Sequence, residues 1–445
     1  MCYYGLKQKK IQDFYQLFNR LIMQSFDHVQ SPFLKEALSR GFIHQCTDVE
    51  ALDKLMLNNK IKAYCGYDAT ADSLQIGNLA SIMFLKLLQK HGHTPYVLIG
   101  GGTSKVGDPS GKDASRQLLD SEMLLKNIQG IQKAFSNFLN FDEGDNKAIL
   151  VNNASWLESL NYIEFLRDFG KHFSINRMLS FDSVKLRLDR EQNLSFLEFN
   201  YMILQAYDFY QLYKNDGITL QMGGADQWGN IVNGVELTRR VLSKTVYGLT
   251  TPLITMANGQ KMGKTANGAI WLNAEKLSPY DFWQFWRNID DADVVRFLKI
   301  FTTYDLSEIA EFEKATGAAL NDVKKKLADH VTAATHGENH LSAIHKNVAL
   351  LFEQSANIDL STLPRIDIHF HDLDTLTVED LLVLTNLCTS KGEARRLIQG
   401  SGAKINDETL NDPKEPVMLD MFDDHGFLKI SSGKKKHIAV KLVRE

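Results

Sequence analysis

Residues 61–102 read IKAYCGYDATADSLQIGNLASIMFLKLLQKHGHTPYVLIGGG, and this stretch decides the fold. Residues 61–67 form a short apolar and aromatic run, the composition of a buried strand. Residues 79–91 are apolar on most faces and stop at Gly92, which suits a helix C-terminal cap. Residues 96–99 make a second buried strand, followed at once by Gly100, Gly101 and Gly102. Strand, helix and strand at this spacing make a βαβ unit, which implies a parallel sheet with a right-handed crossover.

The pattern continues outward. A third strand, 148–151, precedes Asn152 and Asn153, and a fourth, 219–222, precedes Gly223 and Gly224. Residues 33–250 therefore predict an α/β domain with a doubly wound parallel sheet, a Rossmann-like nucleotide-binding catalytic domain. Residues 251–278 read as a loop and connector. Beyond residue 279 the strands disappear: DFWQFWRNI, DADVVRFLKIFT and the charged run Lys324–Lys326 predict an α-helical domain over 279–354. A polar, proline-containing linker over 355–370 leads to a small α+β domain over 371–445. At 445 residues, three domains fit the length.

Composition sets further bounds. Apolar residues are 44% and charged residues 23%, an ordinary globular balance, so disorder is excluded. Lys and Arg number 50 against 54 Asp and Glu, a net charge of −4 that by itself points to no polyanion. Cys2, Cys46, Cys65 and Cys388 form no C-x-x-C, so no disulfide framework or zinc site is expected and a reducing, cytoplasmic setting fits. No run approaches the roughly 20 apolar residues of a membrane span. The N-terminal segment MCYYGLKQKKIQDFYQLFNRL lacks the form of a secretory signal, and Asp13 with little arginine before Arg20 argues against an organellar presequence. Residues 1–32 are an extension of unknown role: an appended helix, or residues upstream of a natural start at Met23.

Four polar clusters fall at strand ends or helix starts, where open α/β sheets bind ligands. The first runs from Tyr64, Cys65 and Gly66 through Asp68 and Thr70 to Gln75, Gly77 and Asn78. Gly77 lets a ring or phosphate approach the backbone, and N–H groups at a helix start attract anions; a polar turn with an ordinary cap is the alternative. The second, GGGTSKVGDPSGK, lacks the G-x-x-x-x-G-K-[ST] phosphate loop and reads as an active-site loop bearing Asp108, Lys112 and Arg116, or as a plain surface loop. The third is a helix over 196–214, apolar all round and so buried. Tyr201, Gln205 and Asp208 share one stripe of it, either satisfied within the core or facing an amine-bearing ligand; Asp226 and Gln227 at the next strand end favour the ligand. The fourth, NGQKMGKT, fails the same phosphate-loop spacing but offers Lys261 and Lys264 on a glycine-bounded loop. Such lysines either meet an anion or are simply solvated.

Together YCGYDATADSLQIGN, VGDPSGK, FNYMILQAYDF, LQMGGADQWGN and KMGKT resemble the successive signatures of the bacterial-type class I tyrosyl-tRNA synthetases, over residues 33 to 445. KMGKT and HFSINRMLSFDSVKLRLDRE look closest to the alphaproteobacterial branch. The resemblance implies activation of L-tyrosine by ATP, with Mg²⁺ carried by the nucleotide and no metal held tightly by the protein. Transfer to the 2′-hydroxyl of the terminal ribose of tRNA(Tyr) follows. It also implies a homodimer. By matching position, Tyr64 and Asp208 would bond the substrate phenol, and Asp108, Tyr201 and Gln205, with Gln227 nearby, the α-amino group. Cys65, Asp68, Gly224 and Asp226 would face the ATP ribose, with Gly66 beside them, and Gly77 and Asn78 would lie against adenosine. Thr70, Gln75, Lys112, Arg116, Lys261, Lys264 and Thr265 would surround the leaving pyrophosphate.

One position departs: Gln75 stands where the family usually has histidine, which predicts reduced activation. SKGEARRLIQGSGAKINDETL is similar to a small RNA-binding domain shared with a ribosomal protein, and implies tRNA contacts from Lys391, Arg395, Arg396 and Lys404. The helical domain would then read the anticodon. Positive charge is thus local, on Lys324–Lys326, Lys391, Arg395, Arg396 and Lys434–Lys436. Two competing expectations are an RNA-binding protein that lost its chemistry, resting on Gln75 alone, and a tryptophan-activating relative, against which the Tyr64/Asp208 pair argues.

Overall fold

Short apolar strands separated by amphipathic helices assemble, in the computed structural model, into a six-stranded sheet. The structure describes residues 26, 28–109, 120–265, 268–353, 360, 363, 365–423, 425–433 and 436–443. The strands are β1 (Gln45–Cys46), β2 (Lys62–Tyr67), β3 (Thr94–Ile99), β4 (Ile149–Asn152), β5 (Leu220–Gly224) and β6 (Tyr247–Thr251). Their order is β1-β6-β5-β2-β3-β4, parallel throughout except for β1 against β6. From β2 the chain steps outward through β3 to β4, then returns to the other side of β2 for β5 and β6. The connections therefore diverge between β2 and β5, which opens a crevice above their carboxyl ends. Register places Tyr64 beside Tyr96 on one side and Gln221 on the other.

Two helices position the site. Ile76–Lys90 begins three residues earlier than its apolar run predicts, because Asn78 Oδ1 accepts the Gln75 N–H at 3.2 Å and caps the first turn. Phe196–Asp216 begins with a reciprocal cap: Ser195 Oγ accepts the Glu198 N–H at 3.2 Å, and Glu198 Oε2 accepts the Ser195 N–H at 3.1 Å. Glu198 is itself buried and takes a bond from Arg187 Nη1 at 3.0 Å. The helix ends at Gly217, whose φ of 69° lies in the left-handed region. It is buried on both sides as expected. Phe209 and Leu212 pack against Tyr64, Tyr96 and Leu98 of the sheet, while Met202, Ala206 and Tyr207 pack toward Phe165 and Met178.

The chain divides into two compact units, Met1–Lys276 with Arg287–Thr335, and Leu277–Trp286 with His336–Glu445. The first carries the six-stranded sheet and a two-stranded pair, β7 (Lys264–Thr265) with β8 (Gly268–Ala269). Within it the Pro32–Arg40 helix is tied down by Arg40, which is buried and donates to the carbonyls of Lys299 at 3.1 Å, Thr302 at 3.2 Å and Tyr304 at 2.8 Å. Those carbonyls close the C-terminal end of the Val294–Phe301 helix, where a cation is favoured. The lysine run at 324–326 corrects the expected charge map. Lys324 is buried, donates to the Ile289 carbonyl at 2.7 Å and pairs with Asp291, while Lys326 lies over the Phe312 ring. Lys324 serves the fold and is not an open cation.

The second unit holds a five-stranded sheet of β9 (Arg365–His369), β10 (Ala403–Ile405), β11 (Glu408–Thr409), β12 (Phe427–Ser432) and β13 (Lys436–Val443). Their order is β11-β10-β12-β13-β9. The helices Val378–Leu384 and Lys391–Gln399 pack on it through Leu381, Leu382 and Ile398. Among the described residues no helix is long and apolar enough to cross a membrane. Residues 1–25 and 27, which include Met23, lie outside the described residues, as do Lys434 and Lys435.

Candidate active site

A cleft of about 390 Å³ lies above the carboxyl ends of β2, β3, β5 and β6. Its lining includes Tyr64, Cys65, Gly66, Asp68, Thr70, Gln75, Gly77, Asn78, Asp108, Tyr201, Gln205, Asp208, Gly224, Asp226 and Gln227, so residues from three of the four clusters meet there. From the second cluster only Asp108 can be placed, since Lys112 and Arg116 lie outside the described residues. For Lys264 and Thr265 the backbone alone is described, as the short strand β7.

At the closed end Asp208 is 1% exposed. Its two oxygens accept from Asn153 Nδ2 at 2.9 Å and Trp156 Nε1 at 2.7 Å. Burial pushes its carboxyl up to about 7; the two donors pull the other way and the charge of Asp68 adds to the rise. Tyr64 faces the same end, edge-on to Phe209 with ring centroids 5.3 Å apart. Its hydroxyl and Gln221 Oε1 are buried without a hydrogen-bond partner among the described residues. Buried polar atoms left unpaired cost stability, so both remain available to a polar group entering the cleft.

A second network leads from Asp208 toward the mouth. Asn153 Nδ2 also donates to Thr103 Oγ1 at 3.0 Å, and Thr103 donates to Asp68 Oδ1 at 3.0 Å. Tyr201 Oη donates to that same oxygen at 3.1 Å. Across the cleft Gln227 Nε2 donates to Asp108 Oδ2 at 2.8 Å, while Asn230 Nδ2 donates to Gln205 Oε1 at 2.9 Å and Gln227 Oε1 at 3.2 Å. Asp108, Gln205 and Gln227 therefore act as one assembly. The Asp226 carboxyl is raised by burial and by the charge of Asp108, and lowered by the nearby Lys261. A site with Asp68, Asp108 and Asp226 around one opening suits an ammonium and hydroxyl donors.

The start of the Ile76–Lys90 helix is less open than its sequence implies. The Ile76 N–H donates to the Ile270 carbonyl at 2.8 Å, and the Asn78 N–H to that of Gln75 at 2.8 Å. The lysine-loop region causes this: Gln75 bridges Trp271, and Gly263, at a φ of 88°, packs on Ile76 so closely that a Cβ would sit 2.6 Å from Ile76 Cγ2. An anion at this point would meet side chains more than bare helix N–H groups.

Five residues of the cleft networks were not assigned from sequence: Thr103, Asn153, Trp156, Gln221 and Asn230. Gln221 left a trace, as the one polar side chain in the apolar start of β5, and Asn153 stands at a strand end. Thr103 and Asn230 lie inside the stretches GGGTSKVGDPSGK and LQMGGADQWGN without being singled out there, and Trp156 lies outside every such stretch. In the second unit Lys391 pairs with Asp380 at 2.5 Å, and Arg395 is forked onto the buried Glu379 at 2.6 and 3.1 Å. Lys414 joins the same carboxylate at 2.9 Å. Arg396 is exposed and Lys404 half-buried.

Comparison with known proteins gives the class first. A family model described as tRNA synthetases class I (W and Y) matches residues 56–353, so fold and cleft are those of a class I aminoacyl-tRNA synthetase. Relatives named tyrosine–tRNA ligase include one from Brucella abortus (strain 2308), 52% identical over 414 residues, covering 93% of this chain and 99% of the relative. Another, from Rickettsia bellii (strain RML369-C), is 51% identical over 411 residues, covering 92% and 100%. The crystal structure of a C-terminally truncated mitochondrial tyrosyl-tRNA synthetase of Aspergillus nidulans superposes with a TM-score of 0.66 at 27% identity, over 77% of this chain and all of that one. The chain belongs to the tyrosine–tRNA ligases, on their alphaproteobacterial branch, and its activity is the ligation of tyrosine to tRNA.

Proposed function

We propose that the cleft binds L-tyrosine phenol-first and ATP across its mouth, with the residues in the roles the resemblance implies. The observation that carries this is the buried Asp208, held by Asn153 and Trp156 beside the unpartnered Tyr64 hydroxyl and Gln221 oxygen. Each carboxylate oxygen keeps lone-pair capacity for a phenol O–H, and Tyr64 supplies a hydroxyl that can donate to the phenol oxygen. Asp108, Tyr201 and Gln205, with Gln227, hold the α-ammonium. Cys65, Asp68, Gly224 and Asp226 face the ribose; Gly66, Gly77 and Asn78 line the adenosine side.

In the first step a tyrosine carboxylate oxygen bonds to the α-phosphorus and the bond to the bridging oxygen of pyrophosphate breaks. Both ligands are fixed for in-line attack, so positioning supplies much of the rate. Thr70, Gln75, Lys112, Arg116, Lys261, Lys264 and Thr265 surround the leaving pyrophosphate, where their donors meet growing negative charge. Mg²⁺ arrives with ATP as part of that substrate. In the second step the 2′-hydroxyl of the tRNA terminal ribose takes the tyrosyl group and AMP leaves. Tyrosine-dependent exchange of pyrophosphate into ATP tests the reading: exchange with wild type and its loss in Asp208→Ala support it, while exchange equal with tryptophan overturns the phenol assignment.

The remaining assignments belong to the same proposal. Residues 279–354 read the anticodon and 371–445 bind tRNA backbone, led by Arg396 and Lys404. The enzyme works in the cytoplasm. It acts as a homodimer, supported by an apolar groove lined by Ile175, Leu188 and Phe196, exposed by 62%, 46% and 71%. Sedimentation of Ile175→Lys with Leu188→Lys as a monomer, against a wild-type dimer, checks that surface.

A further inference from the structure

The residues assigned to the pyrophosphate come from three stretches of sequence, and the segments next to those stretches meet at one side chain, Asn273. The first segment is the turn of residues 69–74 after β2, which carries Thr70. The second is the Ser121–Phe135 helix, which follows Lys112 and Arg116 in sequence. The third, residues 270–276, follows the β7–β8 pair and so the lysine loop. Thr70, Ser73, Leu74 and Trp271 line the cleft, whereas Asn273 does not.

The turn is fixed first by the helix. Ser104 Oγ accepts the Ala69 N–H at 2.7 Å, and Asn127 Nδ2 donates to the Ala69 carbonyl at 2.8 Å, so the peptide that leads into Thr70 is held from outside. Asn127 is buried, and Gly130, three residues on, shares its helix face. The two backbones are so close there that a Cβ on Gly130 would overlap the Asp72 carbonyl.

Asn273 joins this pair to the third segment. Its Nδ2 carries two protons and donates to the carbonyls of Asp72 at 3.3 Å and Gly130 at 3.1 Å, which uses both. Its own N–H donates to Ser73 Oγ at 3.2 Å, and the Leu272 N–H donates to the Leu74 carbonyl at 2.9 Å. Lys276 pairs with Asp72 at 2.6 Å, and Glu275 pairs with Lys133 of the helix. These ion pairs are solvated and worth little. The backbone bonds would form with almost any side chain. What asparagine adds is the amide that bridges two carbonyls.

We propose that Asn273 is a positioning residue for pyrophosphate departure: by tying the Thr70 turn and the Ser121–Phe135 helix to the segment after the lysine loop, it sets the spacing of the donors around the leaving group. This rests on the reading that Thr70 and Lys264 act on the pyrophosphate. Small displacements are costly in a reaction run by positioning. Asp208 and Tyr201, at the tyrosine end, stand on the Phe196–Asp216 helix instead, so a defect at Asn273 is confined to the first step. Transfer to tRNA takes place after pyrophosphate has left and is spared.

The test is rapid-quench kinetics of full-length Asn273→Ala and Asn273→Ser, neither of which can donate to both carbonyls, beside Thr70→Ala, Lys264→Ala and the Asn273→Ala/Thr70→Ala pair. Both Asn273 variants should form adenylate on the order of tenfold more slowly, the scale of two modest hydrogen bonds, and should bind pyrophosphate more weakly in the reverse reaction. KM for tyrosine and the rate of tyrosyl transfer from preformed adenylate to tRNA should be unchanged. The pair should lose less than the product of the single losses, because part of the effect passes through Thr70. An unchanged first step, an equal slowing of both steps, a rise in KM for tyrosine, or losses that simply multiply in the pair overturns the proposal. Loss of cooperative melting in both Asn273 variants assigns the residue to the fold and overturns it too. If Thr70→Ala and Lys264→Ala slow adenylate formation while both Asn273 variants are normal, the pyrophosphate reading stands and only the role of Asn273 falls. If Thr70→Ala and Lys264→Ala leave both the first step and pyrophosphate binding unchanged, that reading itself fails and the proposal with it.

Discussion

Trp156 donates its indole N–H to Asp208 Oδ1 at 2.7 Å, across 52 residues of sequence. With Asn153 on the other oxygen, it aims a buried carboxylate at the closed end of the cleft. A carboxylate so enclosed would otherwise take up a proton, and its pKa of about 7 records the balance between burial and these donors.

That balance gives a pH dependence. Below about pH 7 free enzyme holds Asp208 protonated; above it the group is ionised and can accept from Asn153, Trp156 and a phenol together. kcat/KM for tyrosine should therefore rise by up to about tenfold per pH unit below the midpoint and level off above it. Asp208→Asn should abolish this rise, and Trp156→Phe should move the midpoint up. Stability runs the other way. The folded pKa exceeds the unfolded one, so the contribution of Asp208 is full near pH 4 and is lost as pH rises through 7, read by urea denaturation.

Gln75 lies exposed at the cleft mouth, with its backbone fixed by Asn78 Oδ1 and by the bridge to Trp271. Its amide can donate to a phosphate but carries no charge. Gln75→His should raise the rate of adenylate formation and Gln75→Ala lower it, each by roughly ten- to a hundredfold, the span of one charge-assisted hydrogen bond. Equal rates for all three forms in rapid-quench assays would remove Gln75 from the pyrophosphate site.

Gly263 sits at positive φ against Ile76, where a Cβ has no room. Gly263→Ala should displace the Lys261 segment from the helix start and lower the first-step rate on the order of tenfold, since small misplacements are costly in a positioned reaction. KM for tyrosine should hold. Stopped-flow fluorescence of adenylate formation separates the two quantities.

For tRNA, cations already paired within the protein should matter less than open ones. Arg396→Ala and Lys404→Ala should each weaken tRNA binding and reduce its logarithmic salt slope by about 0.7–0.9, as expected for loss of one phosphate contact. Lys391→Ala should change the slope less, because Asp380 already offsets that charge. Arg395→Ala should chiefly destabilise the second unit, by leaving the buried Glu379 with Lys414 alone. Filter binding over a salt series, with melting curves, distinguishes these effects.

The sheet was legible because β2, the following helix and β3 write their burial directly into local apolar runs, and the Tyr201/Gln205/Asp208 stripe because helical spacing is local too. The residues that aim Asp208 were not. Asn153 and Trp156 approach it only after β4 has docked beside β3, and no short-range pattern encodes that meeting. Lys324 misled for a related reason: a lysine reads as solvated until its neighbours Ile289 and Asp291 are known. The helix at Ile76 looked like an open anion site because Ile270, which takes its first N–H, lies almost 200 residues later.

Arg40 carries a consequence for biosynthesis. Its three carbonyl partners lie 259 to 264 residues downstream, so none exists when the Pro32–Arg40 helix leaves the ribosome. At about 5–20 residues per second the guanidinium waits roughly 15–50 s for them. Through that interval the helix is anchored by neighbours such as Asp53, which accepts the N–H groups of Gln30 and Ser31. The first unit closes only when Tyr304 has emerged, so a nascent chain arrested before that point should leave the Arg40 guanidinium exposed.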